Sequence, residues 1–415
     1  MKIYLIAKKL SHSFSKPIHN ELADYSYEYK ELLENEVGEF LRKKEFDGLN
    51  VTIPYKQTVM EFMDEISPEA QRIGAVNTVL NKNGKLIGYN TYYYGFLHQI
   101  KESGAEIKGK DTVILGTGGA AKTVVCVLSD MGARSVRTVT SAEIKAGDLK
   151  NYHNAQIIVN ATPVGMYPET GNSPIDIKDF KKCEAVLDLI YNPSKTRLIL
   201  DAEKKGLKTA NGLGMLVAQA KKACEIFTGK KIPDSEISRI KNIIEKNTKN
   251  IVLVGMPGSG KSTVGQYLAE RIGREFYDSD EEISKKGETP AEIIEKYGEE
   301  HFRSIETEAL ADLCKKSGCV IATGGGAVTR EENYDIIQQN AMVVFIDRDI
   351  ERLSTNGRPL SQGGIEKLRQ MYEVRYPLYK KFSHFSVKSQ KTWQETASQI
   401  LKCTGIGKNA SERTN

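Results

Sequence analysis

Two segments of this 415-residue chain combine a short apolar strand, a glycine-rich turn and the start of a helix. They are residues 112–131, TVILGTGGAAKTVVCVLSDM, and residues 251–271, IVLVGMPGSGKSTVGQYLAER. Glycines after a strand let backbone amides surround a phosphate, and the following helix adds its positive end. Units of this kind belong to parallel sheets covered by helices. The chain is therefore predicted to be an α/β protein whose two turns bind different phosphate-containing ligands.

The remaining sequence fits this class and suggests two or three domains. Strand-like and helix-like segments alternate throughout, which is typical of α/β domains. Residues 72–90 differ, because they contain two strands around Asn83-Gly84, a hairpin signal that predicts a mixed sheet in the first domain. A polar, lysine-rich helix over 233–249 is followed at once by a strand, so we place a domain boundary near Asn247–Asn250.

Composition argues against several classes of protein. The net charge of +5 is spread thinly and forms no basic stripe, so nucleic acid is not the expected partner. No apolar run approaches the about 20 residues that span a bilayer, and the N-terminus lacks the features of a signal peptide. The six cysteines form no C-x-x-C pair and no metal-ligand spacing, which indicates a reducing cytoplasm. We expect a cytoplasmic protein that acts on small anionic molecules, with its oligomeric state open.

The second glycine turn carries the more specific motif. Residues 255–263, GMPGSGKST, match G-x-x-x-x-G-K-[ST] between a strand and a helix, and a coincidental glycine turn is the alternative. The motif predicts an ATP site in which the backbone of the loop surrounds the phosphates, a lysine bridges the β- and γ-phosphates and a serine ligates Mg²⁺. The predicted binding residues are Gly258, Gly260, Lys261, Ser262 and Thr263.

Two short segments downstream suggest a second substrate. In residues 276–280, FYDSD, alternation along a strand places Asp278 and Asp280 on one side. One carboxylate can serve the metal and the other can take a proton from an acceptor hydroxyl, unless the segment is only a solvated acidic turn. The glycines at 324–326 follow an apolar strand and suggest either a ligand lying against bare backbone or a flexible turn.

The run from residue 250 to about 402 resembles the shikimate kinase family. The matching pieces are the phosphate loop, FYDSDEEI, YGEEHFRSIETEAL, TGGG, NGRPL and EVRYPLY. The resemblance implies a P-loop kinase domain over 250–405, of the nucleoside-monophosphate-kinase type, that transfers the γ-phosphate of ATP to the 3-hydroxyl of shikimate. It implies that Asp280 contacts the reacting hydroxyls and Asp278 serves the metal. The remaining implied contacts are Arg303 and Arg375 with the substrate carboxylate, Gly324, Gly325 and Gly326 with the ring, and Arg358 with the phosphates.

The first glycine turn, over 116–121, has the G-x-G-x-x-A form of a dinucleotide loop, which is a weak signal alone. The segments around it are more specific: SHSFSKPIHN, GLNVTIPYK, GAVNTV, VNATPVGMYP, LDLIYNP and NGLGMLVAQA. Together they resemble the shikimate dehydrogenase family across residues 1–246. The resemblance implies an N-terminal α/β substrate domain over 1–95, a Rossmann-type NADP-binding domain over 96–212, and a helix over 213–246 that returns to the first domain.

The same resemblance implies roles for individual residues. Lys56 is the implied catalytic residue beside the carbonyl that receives hydride, although an isolated loop lysine is usually only solvated. The implied substrate contacts are Ser13, Ser15, Thr52, Asn77, Tyr191 and Gln219, and the two serines have the alternative of capping a helix that begins at Pro17. The implied cofactor contacts are Gly116, Gly118, Gly119, Ala120, Asn160, Thr162 and Met215.

Three departures from the dehydrogenase pattern stand out. Tyr92 replaces the aspartate that the family pairs with the lysine, so the charge partner of Lys56 is lost and the larger side chain is expected to fill the substrate pocket. Thr140-Ser141 replaces the segment whose arginine grips the 2′-phosphate of NADP, and no Asp or Glu is expected at that strand tip, so NAD is not excluded. Only sixteen residues separate Ser141 from Ile158, which predicts a shortened crossover.

We interpret the chain as a bifunctional enzyme that reduces 3-dehydroshikimate with NADP and phosphorylates shikimate with ATP and Mg²⁺. One alternative is that the first half no longer catalyses and serves as a binding or scaffolding module. Another is that its substrate is a related acid such as quinate.

Overall fold

The computed structural model describes residues 1–10, 13–147, 149–353 and 364–406. The chain divides into two compact units. The first unit comprises Met1–Met166, Asn172–Tyr191 and Asp201–Ile243, and the second contains the remainder. Among the described residues, no helix combines the length and the apolar character that crossing a membrane requires.

A six-stranded mixed sheet forms the first part of the first unit, as the sequence predicted. The hairpin around Asn83-Gly84 is confirmed, because both residues have positive φ, 53° and 83°, as a tight two-residue turn requires. The sheet order is β2-β1-β3-β5-β6-β4. Its strands are β1 Lys2–Ala7, β2 Ser26–Glu31, β3 Gly48–Val51, β4 Glu65–Ile66, β5 Thr78–Lys82 and β6 Lys85–Tyr89.

A long helix from the end of the first unit covers this sheet. Ala223 and Phe227 of this helix pack against Ile3, Leu5 and Tyr27 of the sheet. The helices of this part are α1 Ser15–Leu22, α2 Glu34–Lys43, α3 Pro68–Ile73 and α4 Tyr92–Ser103, with α8 Gly212–Thr228 as the returning helix and α9 Ser235–Thr248 after it.

Helices α4 and α8 approach each other very closely. A Cβ atom added to Gly95 of α4 would lie 2.7 Å from the carbonyl oxygen of Met215 on α8, so a side chain at this position would push the helices apart. Glycine is required here because the two backbones touch.

The second sheet of the first unit is wholly parallel, in the order β11-β10-β9-β7-β8. It comprises β7 Asp111–Leu115, β8 Ser135–Val139, β9 Ile157–Asn160, β10 Ala185–Asp188 and β11 Lys208–Ala210. Helix α5, Gly119–Asp130, follows the first glycine turn, and α7 spans Arg197–Lys204. The short crossover between β8 and β9 is confirmed, since it holds only the six-residue helix α6, Ser141–Ala146, and one 3₁₀ turn.

The second unit is built on a parallel five-stranded sheet, in the order β13-β14-β12-β15-β16. Its strands are β12 Asn250–Val254, β13 Phe276–Asp278, β14 Val320–Ala322, β15 Ala341–Asp347 and β16 Phe385–Lys388. Its helices are α10 Lys261–Ile272, α11 Ser279–Ser284, α12 Pro290–Tyr297, α13 Glu299–Cys314, α14 Glu331–Gln338, α15 Gly364–Phe382 and α16 Trp393–Thr404. The α/β class is therefore confirmed in both units.

One local prediction is confirmed in its outcome, since Asp278 and Asp280 line one cavity with the phosphate loop, but is wrong in its cause. Strand alternation was expected to align the two carboxylates of FYDSD, but β13 ends at Asp278 and α11 begins at Ser279. Asp278 caps that helix by accepting from the backbone amide of Asp280 at 2.9 Å. A capping turn, and not the period of a strand, fixes the relative position of the two carboxylates.

Candidate active sites

The second glycine turn forms a tight loop between β12 and α10. Gly255, Gly258 and Gly260 all have positive φ, and a Cβ on Gly255 would lie 2.6 Å from the carbonyl oxygen of Ile346. The ammonium of the buried Lys261 donates to the carbonyls of Gly255 and Met256, both at 2.9 Å. The loop therefore has the backbone that a phosphate cradle needs, with a cation held inside it.

Two oxygen groups beside the loop suit a magnesium ion. The hydroxyl of Ser262 donates to Oδ2 of Asp278 at 2.5 Å, at the point where α10 and β13 meet. Hydroxyl and carboxylate oxygens are hard ligands of the kind that Mg²⁺ takes, with phosphate oxygens and water completing its shell. Within the described ranges, no group of three or more His, Cys, Asp or Glu residues is placed to hold a metal by itself. The donor set thus fits an ion that is shared with a bound nucleotide.

A cavity of about 540 Å³ opens next to this loop. It brings together residues that are far apart in the sequence, all of them predicted site residues: Gly258, Gly260, Lys261, Ser262, Thr263, Asp278, Asp280, Arg303, Gly324, Gly325, Gly326 and Arg375. The predicted Arg358 lies outside the described residues.

The glycines at 324–326 lie against charged side chains of the cavity. A Cβ on Gly324 would collide with Oε1 of Glu306, and one on Gly326 would collide with the guanidinium of Arg303. The carbonyl of Gly325 accepts from Nη1 of Arg375 at 3.2 Å and from the hydroxyl of Tyr379 at 2.6 Å. These contacts make the segment one wall of the cavity and favour the interpretation that it lies against a ligand.

Asp280 is the carboxylate best placed to exchange a proton. Burial, reinforced by the charges of Asp278 and Glu306, raises the pKa of Asp280 to about 6, although Lys261 and Arg303 oppose the shift. Its Oδ1 is buried and has no hydrogen-bond partner among the described residues. An acceptor oxygen of this kind inside a cavity can take a proton from a substrate hydroxyl.

Glu306 is a site residue that sequence reasoning missed. It is fully buried, accepts from Nη1 of Arg303 at 2.7 Å, and its other oxygen has no described partner. Nη2 of Arg303 donates to Glu299 at 2.8 Å, so two carboxylates hold the guanidinium in place. The spacing of Arg303 and Glu306 on one helix face was the available signal.

The first unit contains a second cavity, of about 380 Å³. Ser13 and Ser15 reach it from the start of α1, Thr52 from the end of β3, and Gln219 from α8. Tyr191, Met215 and Ala120 also line it, whereas the other predicted cofactor residues do not.

Asn77 joins two elements beside this cavity. Its amide donates to Thr91 at 3.1 Å and to Gln219 at 3.4 Å, and its oxygen accepts from the amide of Thr91 at 2.7 Å. The predicted substrate residues of the first half therefore share one polar wall.

The two serines do not cap a helix that begins at Pro17. Helix α1 begins at Ser15, its N-cap is Phe14, and no side chain caps it. The hydroxyl of Ser13 accepts from the amide of Ser15 at 3.2 Å and donates to the Ser15 hydroxyl at 3.1 Å. This pair places two hydroxyls at the mouth of the cavity.

Lys56 and Tyr92 are in direct contact. The ammonium of Lys56 lies 3.8 Å from the centre of the Tyr92 ring, a cation–π distance. Tyr92 lines the cavity and Lys56 does not. The aromatic ring thus occupies the side of the lysine on which the family resemblance placed a carboxylate.

The dinucleotide-like loop over 116–121 is positioned by its contact with the backbone that follows β9. Gly116 has a φ of 107°, and a Cβ there would lie 3.1 Å from the carbonyl oxygen of Ala161. Asn160 donates to Asp188 at 3.0 Å and accepts from the amide of Thr162 at 3.0 Å. The structure therefore gives Asn160 and Thr162 a role in shaping the turn after β9, which contacts Gly116 of the first glycine turn.

The tip of β8 contradicts one prediction. No Asp or Glu was expected there, but the carboxylate of Glu143 accepts from the amide and from the hydroxyl of Thr140, both at 2.7 Å. Thr140 caps α6 and Glu143 completes a capping box, which folds the acid back over the strand end.

Two further cavity residues were missed. His19 is fully buried, its ring stacks on Tyr27 at 4.1 Å, and burial lowers its pKa to about 3, so it is neutral. Tyr27 donates to Asn50 at 2.9 Å, and Asn50 in turn donates to Thr78 at 3.2 Å. The alternating tyrosines of β2 were the signal in the sequence that could have indicated this network of polar side chains.

Comparison with family models gives three matches along the chain. Residues 257–404 match shikimate kinase, residues 5–79 match the shikimate dehydrogenase substrate binding domain, and residues 212–238 match the shikimate 5′-dehydrogenase C-terminal domain.

Individual proteins are similar to the first half. A shikimate dehydrogenase (NADP(+)) of Clostridium perfringens strain SM101 is 39% identical over 258 residues, which are 57% of this chain and 95% of the relative. A chorismate mutase/shikimate 5-dehydrogenase fusion protein from Clostridium acetobutylicum has 36% identity and a TM-score of 0.56. The matched region covers 59% of this chain and 97% of the solved chain. The shikimate 5-dehydrogenase of Thermus thermophilus in complex with NADP(H) and shikimate has 32% identity and a TM-score of 0.53. Here the matched region covers 58% of this chain and 98% of the solved chain.

Proposed function

We propose two consecutive reactions for this chain, which belongs to the shikimate dehydrogenase family and carries a shikimate kinase domain behind that part. The two parts make it a bifunctional shikimate-pathway enzyme. The first proposed reaction is the reduction of 3-dehydroshikimate to shikimate by a nicotinamide dinucleotide, which is NADP in the Clostridium perfringens relative and in the Thermus thermophilus complex. The second is phosphorylation of the 3-hydroxyl of shikimate by ATP.

The kinase proposal assigns one task to each part of the larger cavity. The loop amides and Lys261 bind the phosphates of ATP, and Ser262 and Asp278 would hold Mg²⁺, which offsets the charge of the phosphates when bound. Arg303 and Arg375 bind the carboxylate of shikimate, for which planar guanidinium groups are suited.

The proton in the kinase reaction passes to Asp280. Its carboxylate takes the proton of the 3-hydroxyl as that oxygen bonds to the γ-phosphorus, and the bond from phosphorus to the β-phosphate oxygen breaks to release ADP. The observation that carries this assignment is the buried Oδ1 of Asp280 without a described partner, in the same cavity as the phosphate loop and both arginines.

Asp280→Asn tests the kinase assignment. The variant keeps the size of the side chain but cannot accept the proton, so we expect kcat to fall by about 10²-fold or more with little change in KM for ATP. Asp312→Asn is the matched control, because Asp312 is exposed on α13 and remote from the cavity lining. Unchanged kcat in Asp280→Asn would remove Asp280 from the mechanism.

The dehydrogenase half keeps a substrate cavity but has lost an acid beside Lys56. Ser13, Ser15, Asn77 and Gln219 bind the carboxylate and hydroxyls of the substrate, and Lys56 donates to the carbonyl that receives hydride. The ring of Tyr92 attracts the ammonium weakly and offers no charged acceptor. We therefore propose that this half reduces 3-dehydroshikimate slowly.

A second candidate function follows from the same contact. Tyr92 lines the cavity while Lys56 lies behind its ring, which favours a module that binds shikimate without hydride transfer. Binding of shikimate together with no detectable hydride transfer to NADP or NAD, from either shikimate or quinate, would favour this candidate.

Tyr92→Asp distinguishes the two candidates. The carboxylate would pair with Lys56, and one charge-assisted contact contributes about 1.5–3 kcal/mol, so we expect shikimate oxidation to rise by roughly tenfold to a hundredfold. Tyr92→Asn frees similar space but adds no charge, so its rate of shikimate oxidation should rise much less. A fall in rate on Tyr92→Asp would mean that Tyr92 takes part in the reaction.

A further inference from the structure

The strand tip next to the first glycine turn selects the cofactor in dinucleotide-binding folds. Strand β8 pairs with β7, which leads into that turn, and Thr140 follows β8 directly. In such folds the adenosine ribose lies over this tip, where an acid binds the 2′-hydroxyl of NAD and a cation binds the 2′-phosphate of NADP. The charge at the tip of β8 therefore decides between the two cofactors.

The charge at this tip is negative. Glu143 receives hydrogen bonds from the amide and hydroxyl of Thr140, and from the hydroxyl of Tyr152 at 3.1 Å. These three donors lower the pKa of Glu143, so its carboxylate is ionised at neutral pH. No ion pair joins Glu143 to a basic side chain in the part of the chain that the structure describes.

The same hydrogen bonds occupy two donors that a phosphate could otherwise use. The amide and hydroxyl of Thr140 lie at the strand end, and both already donate to Glu143. Ser141 supplies no positive charge. The oxygens of Glu143 keep lone pairs that can accept from a ribose hydroxyl, because a carboxylate has about four acceptor positions.

We propose that Glu143 is a specificity-determining residue that makes this chain prefer NAD(H) to NADP(H). The carboxylate accepts a hydrogen bond from the 2′-hydroxyl of NAD and repels the 2′-phosphate of NADP, since like charges in close contact are costly. This inference rests on the proposed function of the first half as a dinucleotide-binding dehydrogenase. It requires no hydride transfer, because it concerns binding alone.

Equilibrium binding of NADH and NADPH to the full chain, followed by nucleotide fluorescence, tests the proposal. We expect NADH to bind at least about tenfold more tightly than NADPH. Glu143→Gln retains an acceptor for the Thr140 cap but removes the charge, and should reduce the NADPH/NADH ratio of Kd values by about tenfold. Glu106→Gln is the matched control, because Glu106 is exposed in the turn before β7, at the other end of the sheet.

A second variant covers the case in which Glu143→Gln fails to fold. Ser141→Arg leaves the cap intact and adds a guanidinium that can bind the 2′-phosphate, so NADPH should gain affinity relative to NADH. Tighter binding of NADPH than of NADH by the unaltered chain would overturn the proposal, as would an unchanged ratio in a folded Glu143→Gln. Binding of neither nucleotide would overturn the proposed dehydrogenase function together with this inference, whereas a preference for NADPH would overturn the inference alone.

Discussion

The two units of this chain place a candidate catalytic lysine in very different surroundings. In the second unit, Lys261 donates to two loop carbonyls and shares its cavity with Asp280. In the first unit, Lys56 lies on the face of Tyr92. The polar wall formed by Ser13, Asn77 and Gln219 is nevertheless present. If the proposed functions hold, the comparison teaches that a polar cavity can persist after the acid beside its lysine has been replaced.

The largest expected effect concerns the lysine of the phosphate loop. Lys261→Ala removes the cation that stabilises the transferring phosphoryl group, so kinase kcat should fall by about 10³-fold or more. Dinucleotide binding by the first half should be unchanged, and circular dichroism should show a folded chain. Lys285→Ala, at an exposed lysine, is the control. Substantial kinase activity in Lys261→Ala would contradict the site.

The next effect tests whether Lys56 is uncoupled from catalysis in the natural chain. Lys56→Ala should lower shikimate oxidation only slightly when Tyr92 is present, but by about 10²-fold in a Tyr92→Asp background, where an ion pair exists to be broken. The double-mutant cycle built from these variants measures the coupling. Equal losses in both backgrounds would show that Tyr92 and Lys56 already act as a pair.

A smaller effect is expected at the carboxylate-binding arginine of the kinase. Arg303→Lys keeps the charge but loses the planar fork held by Glu306 and Glu299, so KM for shikimate should rise roughly tenfold or more while KM for ATP changes little. Arg330→Lys is the control, because its ion pairs with Glu300 and Glu332 lie outside the cavity lining. Equal changes for both substrates would give Arg303 a structural role only.

The smallest effect is a pH dependence confined to the kinase. Asp280 must be ionised to accept a proton, and its pKa is raised to about 6, so kcat should fall by about tenfold between pH 7 and pH 5. The raised pKa also means that the ionised form is disfavoured in the folded chain. The free energy of unfolding therefore falls as the pH rises through about 6, and Asp280→Asn should stabilise the second unit at pH 7 by on the order of 2 kcal/mol.

These values can be read from a pH–rate profile and from thermal unfolding of Asp280→Asn against Asp312→Asn. A flat profile between pH 5 and pH 7 would contradict the assigned role of Asp280. A destabilised Asp280→Asn at pH 7 would contradict the sign of the linkage.

What could be predicted from sequence depended on how local the determining contacts are. The phosphate loop and the hairpin at Asn83-Gly84 are set by a few adjacent residues, and both were recognised. Asp280 was placed on a strand because the cap made by Asp278 depends on a hydrogen bond that alternation does not reveal. Glu143 was missed for the same reason, since the capping box brings it back to Thr140.

Long-range pairing accounts for the remaining differences. His19 of α1 and Asn50 of β3 are linked through Tyr27 of β2, which stacks on the first and donates to the second. The alternating tyrosines of β2 indicate a network, but the pairing of β2 and β3 with β1 decides which residues it joins. The helical spacing of Glu306 and Arg303 was visible in the sequence, but the place of Glu306 in the cavity depends on the contact between α13 and the glycines at 324–326. The individual roles of the site residues remain predictions that the variants above address.

The close contact at Gly95 has a consequence for how the first active site can change. Position 92 begins the same helix, one turn before the point where its backbone touches that of Met215. Backbone contact therefore fixes where this position presents its side chain, whichever amino acid occupies it. Replacing Tyr92 by aspartate would therefore change the side chain without moving the backbone that carries it, and it needs a change at only one position of the codon. A methyl group added at Gly95 would displace helix α4 itself, and no substitution at position 92 could then restore the geometry.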